Sequence, residues 1–256
     1  MTIFVGTSGW QYRHWRGVFY PVGVRQAEWL AYFAARYATV EVNSTFYRLP
    51  ARSTFAAWAQ QTPQDFILAV KFSRFLTHFK RLSEPAEPVR RFFDRADALG
   101  GKLGPVLLQL PPDFAVDIER LREALGEFPA GVRVAVEPRH SSWFVEDVRA
   151  LLGEHGAALC WADRGSRLLT PVWRTTSWVF MRFHAGLGAP EPCYDVAALE
   201  DRARLLAECP QQDAYVFFNN DARGCALHDA CMFAHACRRL GLTVTRVPTA
   251  APIPGS

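Results

Sequence analysis

The sequence has no long apolar run and no large excess of charge of either sign. Without an apolar run of spanning length we expect no transmembrane helix, and the start of the chain lacks the basic and apolar regions of a signal peptide. A formal net charge of +4 is mild beside the concentrated basic faces of proteins that bind nucleic acid through its phosphates. We therefore expect a cytoplasmic protein that does not bind a membrane. Nucleic acid is a possible but less favoured partner, and a small anionic molecule is the preferred one. No oligomeric state is predicted.

The sequence also lacks any C-x-x-C pair. Its six cysteines all lie in the second half of the chain: Cys160, Cys193, Cys209, Cys225, Cys231 and Cys237. This scatter is unlike the disulfide framework of a small secreted domain, so we expect no such framework and expect most of the cysteines to be small buried hydrophobes. The spacing of His228, Cys231 and His235 on the last predicted helix would let all three reach one ion. That helix belongs to the outer layer, which makes packing the preferred interpretation.

Several local signatures of catalysis are missing as well. There is no Gly-rich phosphate loop, no G-x-S-x-G elbow, no Cys–His–Asn set and no H-x-H or H-E-x-x-H pair. The polar residues are rich in Lys, Arg and Asn, which are poor neighbours for a bound cation. We therefore expect no cofactor and no catalytic metal. A metal-dependent barrel hydrolase or isomerase, using Glu137, Asp163 and His184, is the second alternative.

One stretch of the chain combines a strand with a cluster of reactive groups. The β-branched run 132–136 predicts a strand buried on both faces, and Pro138 stops its ladder by removing a backbone donor. Glu137 and Arg139 lie two apart, so they leave an extended chain on the same side. A strand that opens into polar residues and then a helix is the recurring unit of α/β enzymes.

The same unit recurs along the whole chain. Strands are predicted at residues 3–6, 39–42, 66–70, 105–108, 132–136, 157–161, 178–183 and 214–218, and nearly all are separated by helical patterns. Eight such units in about 250 residues favour an α/β fold, a single (β/α)₈ TIM-barrel-like domain over residues 1–246. The crossover near residues 164–177 should be irregular, and the tail 247–256 loosely held. An open doubly wound sheet is the runner-up, but its G-x-G-x-x-G turn is absent after the first strand.

In a barrel, the carboxyl ends of all strands meet at one mouth, where chemistry gathers. The candidate catalytic residues at this mouth are Glu41, Glu137, Arg139, His140 and Asp163. The candidate substrate-binding residues are Lys71, Arg182, His184, Gln109, Asn43, Asn219, Asn220, Trp10, Tyr12, Tyr47 and Trp143. We expect Glu137 to act as acid or base, with Lys71, Arg139 and Arg182 as an anion clamp. The alternatives are a structural ion pair at the rim and aromatic residues that merely plug the barrel end.

Several motifs occur together, in order, over residues 2–240. They are Gly6-Thr-Ser-Gly-Trp10, Glu41-Val-Asn-Ser-Thr-Phe-Tyr47, Lys71-Phe-Ser73, Thr77-His78, Leu107-Leu-Gln-Leu-Pro111, Glu137-x-Arg-His-x-Ser-Trp143, Arg182-Phe-His184 and Phe218-Asn-Asn220. Together they resemble the YecE-like proteins, or domain of unknown function 72. The resemblance implies a TIM-barrel-like fold and polar strand ends, but no reaction. Pro138 and Asp221 depart from the family pattern. Because Pro138 immediately precedes Arg139, it could change the direction of the Arg139 side chain.

The leading functional interpretation is a barrel enzyme that uses acid–base or electrostatic catalysis on a small polar, anionic substrate. A phosphorylated or acidic sugar fits this description. The main alternative is a nucleic-acid-processing or non-catalytic ligand-binding module that uses the aromatic and basic mouth.

Overall fold

The apolar, β-branched runs of the sequence form strands that are buried on both faces, as predicted. The computed structural model describes residues 1–209 and 213–250. Its eight main strands are β1 Thr2–Thr7, β2 Thr39–Val42, β3 Ile67–Lys71, β4 Leu103–Gln109, β5 Val134–Glu137, β6 Ala158–Arg164, β7 Trp178–Phe183 and β8 Asp213–Phe218. Two-residue strands also occur at Arg167–Leu168 and Thr243–Val244.

Helices follow most of the strands and cover the outside of the sheet. They are α1 Trp29–Ala34, α2 Ser44–Tyr47, α3 Arg52–Gln61, α4 Ala86–Ala96, α5 Ile118–Gly126, α6 Glu146–Glu154, α7 Val196–Ala207 and α8 Cys225–Arg239. A π-helical turn at Phe75–Phe79 follows β3. The alternation of strand and helix confirms the predicted α/β, TIM-barrel-like architecture.

The main strands are all parallel to their neighbours and run in the order β1, β8, β7, β6, β5, β4, β3, β2. The two ends of this order come together, because Gly6 of β1 lies against Thr39 of β2. A Cβ atom at residue 6 would stand 2.4 Å from the Thr39 carbonyl oxygen, so only glycine permits this approach. The sheet thus curls into a barrel, although no ladder joins β1 to β2 in the described ranges.

The inside of the barrel holds its own small core, separate from the larger core between strands and helices. Its lower layers contain small and aromatic side chains, among them Ala69, Leu107, Ala135, Cys160, Phe180 and Phe217. Side chains alternate across a strand with a period of two, so the residue two positions later faces the same interior. That position holds Lys71, Gln109, Glu137, Ala162, Arg182 and Asn219. The last interior layer, at the carboxyl ends, is therefore mostly polar.

Two connections bear on the sequence predictions. The crossover between β6 and β7 contains no helix, as expected, and Arg167–Leu168 folds back antiparallel onto the end of β6. Cys193 and Cys225 form one disulfide, a pair that the sequence analysis did not predict. No local pattern indicates this pair, because the two residues are 32 positions apart and meet only through the tertiary fold. The other four cysteines are free and buried, as expected.

The end of the chain returns to the first strand. Thr243–Val244 pairs in parallel with β1, and Val247 is buried in the main core. Residues 251–256 of the predicted tail lie outside the part of the chain that the structure describes. Within that part, no helix has both the length and the apolar character that crossing a membrane requires.

Candidate functional site

A buried charge network occupies the last interior layer of the barrel. The Arg182 guanidinium bridges two carboxylates, donating from Nη1 to Glu137 Oε2 at 2.6 Å and from Nη2 to Glu41 Oε1 at 2.8 Å. All three side chains are almost completely buried. Because β2, β5 and β7 are not neighbours in the strand order, the network joins separate parts of the barrel. A guanidinium is suited to this role because its planar fork presents two donors in fixed directions.

Glu137 is the centre of this network, and its two oxygens receive donors from several directions. Besides Arg182, the donors are Arg139 Nη2 at 2.9 Å, His184 Nε2 at 2.9 Å, Arg139 Nε at 3.2 Å and Gln109 Nε2 at 3.3 Å. Burial opposes ionisation, but Arg182, His184 and Arg139 outweigh it and hold the pKa of Glu137 well below its usual range. Glu137 is therefore a permanent anion with little free acceptor capacity, which makes it a poor general acid or base.

His184 is fixed in one tautomer by its neighbours. Its Nε2 lies 2.9 Å from Glu137 Oε1, and its Nδ1 lies 3.4 Å from the side-chain amide nitrogen of Asn219. Nε2 thus carries the proton and donates, while Nδ1 accepts. Burial lowers the pKa of His184, only partly offset by Glu137, so the ring is neutral near neutral pH. Asn43 continues the chain by donating to Asn219 Oδ1 at 3.3 Å.

Lys71 is a cation of the mouth that the network leaves unpaired. It is 8% exposed, and in the described part of the chain its Nζ has no hydrogen-bond or ion-pair partner. The ammonium group lies 4.1 Å above the centre of the Phe46 ring, a cation–π contact. Burial, assisted by the positive charge of Arg182, lowers the pKa of Lys71 to about 8. Lys71 is therefore poised to exchange a proton close to neutral pH.

Two further side chains, Phe46 and His78, belong to this mouth although they are not among the candidate site residues named from the sequence. Phe46 supports Lys71, and its ring centre lies 4.9 Å from that of His78. Burial lowers the pKa of His78, and the positive charges of Lys71 and Arg139 lower it further. Both residues belong to motifs noted in the sequence, Glu41–Tyr47 and Thr77-His78. The direction of each side chain, however, depends on the local turn that follows β2 or β3.

Tyr12 also reaches the mouth, from the loop after β1. Its hydroxyl donates to the Ser8 carbonyl at 2.6 Å. Burial raises the pKa of Tyr12, and the charges of Asp221 and Glu41 raise it further. The phenol is therefore a neutral hydrogen-bonding group at the edge of the network.

Two of the predicted residues at strand ends face outward, because the strand alternation turns them away. Asp163 follows the interior position Ala162 and pairs with Arg202 of α7 at 2.8 Å. Asn220 follows Asn219 and donates to Asp229 of α8 at 2.7 Å. The structure places both in the layer between strands and helices. Glu137, His184 and Asp163 thus do not converge on one point.

Other predicted residues also lie away from the network. His140 contacts Ser142, with Nδ1 and Oγ 2.8 Å apart. Trp10 packs edge-on against Trp58 of α3, and Trp143 is fully buried, donating to a backbone carbonyl at 2.7 Å. These three side chains stabilise the fold around the mouth. Tyr47 is 65% exposed and lines a groove of about 650 Å³ between the loops after β2 and β3 and helices α3 and α4.

The two departures from the family pattern have structural consequences of their own. Pro138 is buried, and Arg139 still reaches Glu137 at 2.9 Å, so the proline is compatible with this contact. Asp221 lies 2.8 Å from His14 and accepts from the Trp15 indole at 2.7 Å. Burial raises the pKa of Asp221 to about 7, although His14 and Trp15 favour its charge. Through His14 and Trp15, Asp221 therefore anchors the loop after β1 to the end of β8.

The charges of the network and Lys71 do not cancel. Glu41 and Glu137 carry two negative charges, which Arg139 and Arg182 balance, while His184 is neutral. Lys71 adds a positive charge with no partner among the described residues. The Arg139 side chain is 30% exposed, whereas Arg182 is buried, so Lys71 and Arg139 are the cations of this site that an incoming molecule can contact. Among the described residues, the second carboxylate oxygen of Glu41, Oε2, is buried and has no hydrogen-bond partner.

The fold and this mouth define a TIM-barrel-like α/β protein with a polar, ion-paired site at the carboxyl ends of its strands. Residues 4–252 match the family described as "Protein of unknown function DUF72", and the chain belongs to this family. The resemblance to the YecE-like proteins is thereby confirmed.

Several relatives support this assignment. The UPF0759 protein YunF of Bacillus subtilis is 26% identical over 87% of this chain and 90% of its own. The UPF0759 protein YecE of Escherichia coli K12 is 28% identical over 56% of this chain, and the chain spans about half of that relative's length, 51%. The crystal structure of a DUF72 family protein from Thermotoga maritima has a TM-score of 0.76 at 28% identity, covering 93% of this chain and all of the other.

Proposed function

We propose that the chain is an enzyme that acts on a small polar, anionic substrate, such as a phosphorylated or acidic sugar, at the barrel mouth. The observation that carries this proposal is Lys71, an almost buried ammonium group without a partner in the described part of the chain. A buried cation left unpaired costs free energy, so a protein retains one chiefly where a ligand or a reaction uses it.

The roles of the other groups follow from their contacts. The Arg139 side chain is partly exposed and can turn one edge of its guanidinium toward an anionic group, while Lys71 offers a second positive charge. Glu41 is as buried as Arg182 and acts on the site only through that guanidinium. Glu137 and Arg182 hold these groups in place instead of exchanging protons, so Glu137 is a positioning residue. Lys71 is the proposed acid or base of the reaction.

The proposal is tested by measuring which small anions stabilise the folded protein. A collection of sugar phosphates and sugar acids, compared with the matching neutral sugars, is added during thermal unfolding. A ligand that binds only the folded state raises the unfolding temperature in proportion to its concentration above Kd. Stabilisation by anionic sugars and not by neutral ones supports the proposal. If no member of the anionic set binds or is turned over, the proposal is wrong.

Arg139→Met provides a first specific prediction. Charge-assisted hydrogen bonds contribute about 1.5–3 kcal/mol, so the variant should bind the selected anion roughly 10- to 100-fold more weakly. Its free energy of unfolding should change by no more than about 1 kcal/mol, because the guanidinium is partly solvated. Isothermal titration calorimetry and urea unfolding measure the two quantities.

The matched control for this variant is Arg149→Met. Arg149 forms a similar but remote ion pair with Glu146 at 3.5 Å on the outer helix α6. Anion affinity should be unchanged in this control. Equal losses in both variants would mean that binding reflects the overall charge of the protein and not the mouth.

A further inference from the structure

A second cluster of reactive side chains lies away from the mouth, where the loop after β7 meets the start of α8. Cys193 belongs to this loop, and Cys225 is the first residue of α8. A disulfide joins the two, and both residues are buried. The two sulfur atoms are therefore held together by the fold of the loop and the helix.

Two other potential metal ligands stand beside this disulfide. His228 is three positions after Cys225, which places it one turn further along the same side of α8. Its Nδ1 lies 3.0 Å from Asp229 Oδ1. Ligand atoms of Cys193, His228 and Asp229 all lie within 4.8 Å of one another. The His228 side chain is 28% exposed and gives the cluster an opening to solvent.

Asp229 is held firmly in this arrangement. Its Oδ2 accepts from the Asn220 side chain at 2.7 Å and from the backbone N–H of Tyr194 at 2.9 Å. These donors fix the carboxylate and leave Oδ1 directed at His228. The cluster is thus supported by a second set of hydrogen bonds, as the ligands of metal sites in proteins commonly are.

We propose that Cys193, Cys225, His228 and Asp229 form a binding site for a divalent zinc-like cation when the disulfide is reduced. A dithiol reductant transfers two electrons and two protons to the disulfide, giving two thiols while the reductant becomes a disulfide. Binding of the cation then displaces the two thiol protons, so that two thiolates, one imidazole nitrogen and one carboxylate oxygen surround it. This donor set is the one that tetrahedral zinc sites use.

The required movement is small. Zinc–sulfur bonds are about 2.3 Å and zinc–nitrogen bonds about 2.0 Å long, so ligand atoms around one ion stand roughly 3–4 Å apart. The separations among Cys193, His228 and Asp229, up to 4.8 Å, are close to this range before any adjustment, and reduction of the disulfide releases the Cys225 sulfur to move away from that of Cys193. The spacing of His228, Cys231 and His235 suggested a different set. Cys231 instead lies in the core, 3.8 Å from the Tyr37 hydroxyl, so it does not join His228.

The test compares zinc binding by the full chain with the disulfide reduced and oxidised. The protein is stripped with a chelator, incubated with zinc chloride, freed of excess metal, and analysed for bound zinc. We expect one zinc per chain in the reduced protein and none in the oxidised protein. Cys193→Ser and His228→Gln should each lower the affinity at least tenfold, since loss of a supporting or direct ligand commonly has such effects.

Matched controls use residues of the same helix that lie outside the cluster. Cys237→Ser and His235→Gln should bind zinc like the parent. Cobalt(II) as a second probe should give thiolate-to-cobalt charge-transfer absorption in the parent and a clearly weaker band in Cys193→Ser, which keeps only the Cys225 thiolate. The proposal is overturned if the reduced parent binds no zinc, or if His228→Gln, which alters a partly exposed side chain, retains full affinity. Circular dichroism confirms that each variant is folded.

Discussion

Arg182→Met is expected to destabilise the protein by about 3–5 kcal/mol, one of the largest effects of any single substitution in the mouth. Removing one partner of a buried ion pair leaves the other charge uncompensated. Here the loss is double, since Glu41 and Glu137 both depend on the same guanidinium. Urea unfolding of parent and variant near pH 7 measures the difference directly. The exposed pair Arg122–Glu154, at 3.0 Å, provides the control, and Arg122→Met should cost about 0–1 kcal/mol.

The pH dependence of this variant has a definite sign. In the parent, the folded pKa of Glu137 lies below its unfolded value of about 4.3, so its contribution to stability is present at neutral pH. This contribution is lost as the pH falls through the folded pKa. Without Arg182, burial favours the neutral acid, so the gap between parent and variant should shrink on acidification. A loss under about 1 kcal/mol at pH 7, or a gap that widens in acid, would contradict the proposed network.

Lys71→Met is expected to have opposite effects on stability and on function. The unfolded pKa of lysine is about 10.4, and burial lowers the folded pKa of Lys71 to about 8. The folded state thus binds fewer protons between these values, and stability rises with pH through that window. Below pH 8 the full cost of the buried charge is present, on the order of 3 kcal/mol. Methionine removes this cost, so the variant should unfold at higher urea concentration.

The functional effect of the same substitution should be a large loss. Removing a group that transfers a proton commonly lowers the rate by about 10²–10⁴, and the variant should lose turnover of the substrate found by the anion screen to this extent. Lys102→Met is the matched control for stability. The Nζ of Lys102 donates to the carbonyls of Ala59 and Thr62, at 2.5 and 2.6 Å, so this variant should be destabilised. A Lys71 variant that is less stable and fully active would overturn the assigned role.

The architecture could be predicted from the sequence because its signal is local. Runs of apolar, β-branched residues at regular spacing fixed the eight strands to within three residues at each end. The residues just after the strands also had to meet at one end of a parallel barrel. Glu41, Lys71, Glu137 and Arg182 all lie there. The spacing of apolar residues thus predicted which residues lie at the carboxyl end of each strand.

The direction of each side chain required more than this pattern. Asp163 and Asn220 are each one position beyond an interior residue, so they face the helices and bind Arg202 and Asp229. Counting in twos from Cys160 would have indicated Ala162 as the interior position. The role of Glu137 was beyond such counting. It depends on Arg182, His184 and Gln109 from distant segments, which together saturate its oxygens.

The central claim is that the mouth holds an unpaired, desolvated lysine beside a saturated charge network. The chain has only three lysines, Lys71, Lys80 and Lys102, so ¹³C-methylation of its amines gives a simple NMR spectrum in which each lysine can be titrated. One lysine signal should titrate near pH 8 and disappear in Lys71→Met. If the Lys71 signal instead titrates near the ordinary lysine value of about 10.4, the lysine is not desolvated and the proposed chemistry of this mouth is contradicted.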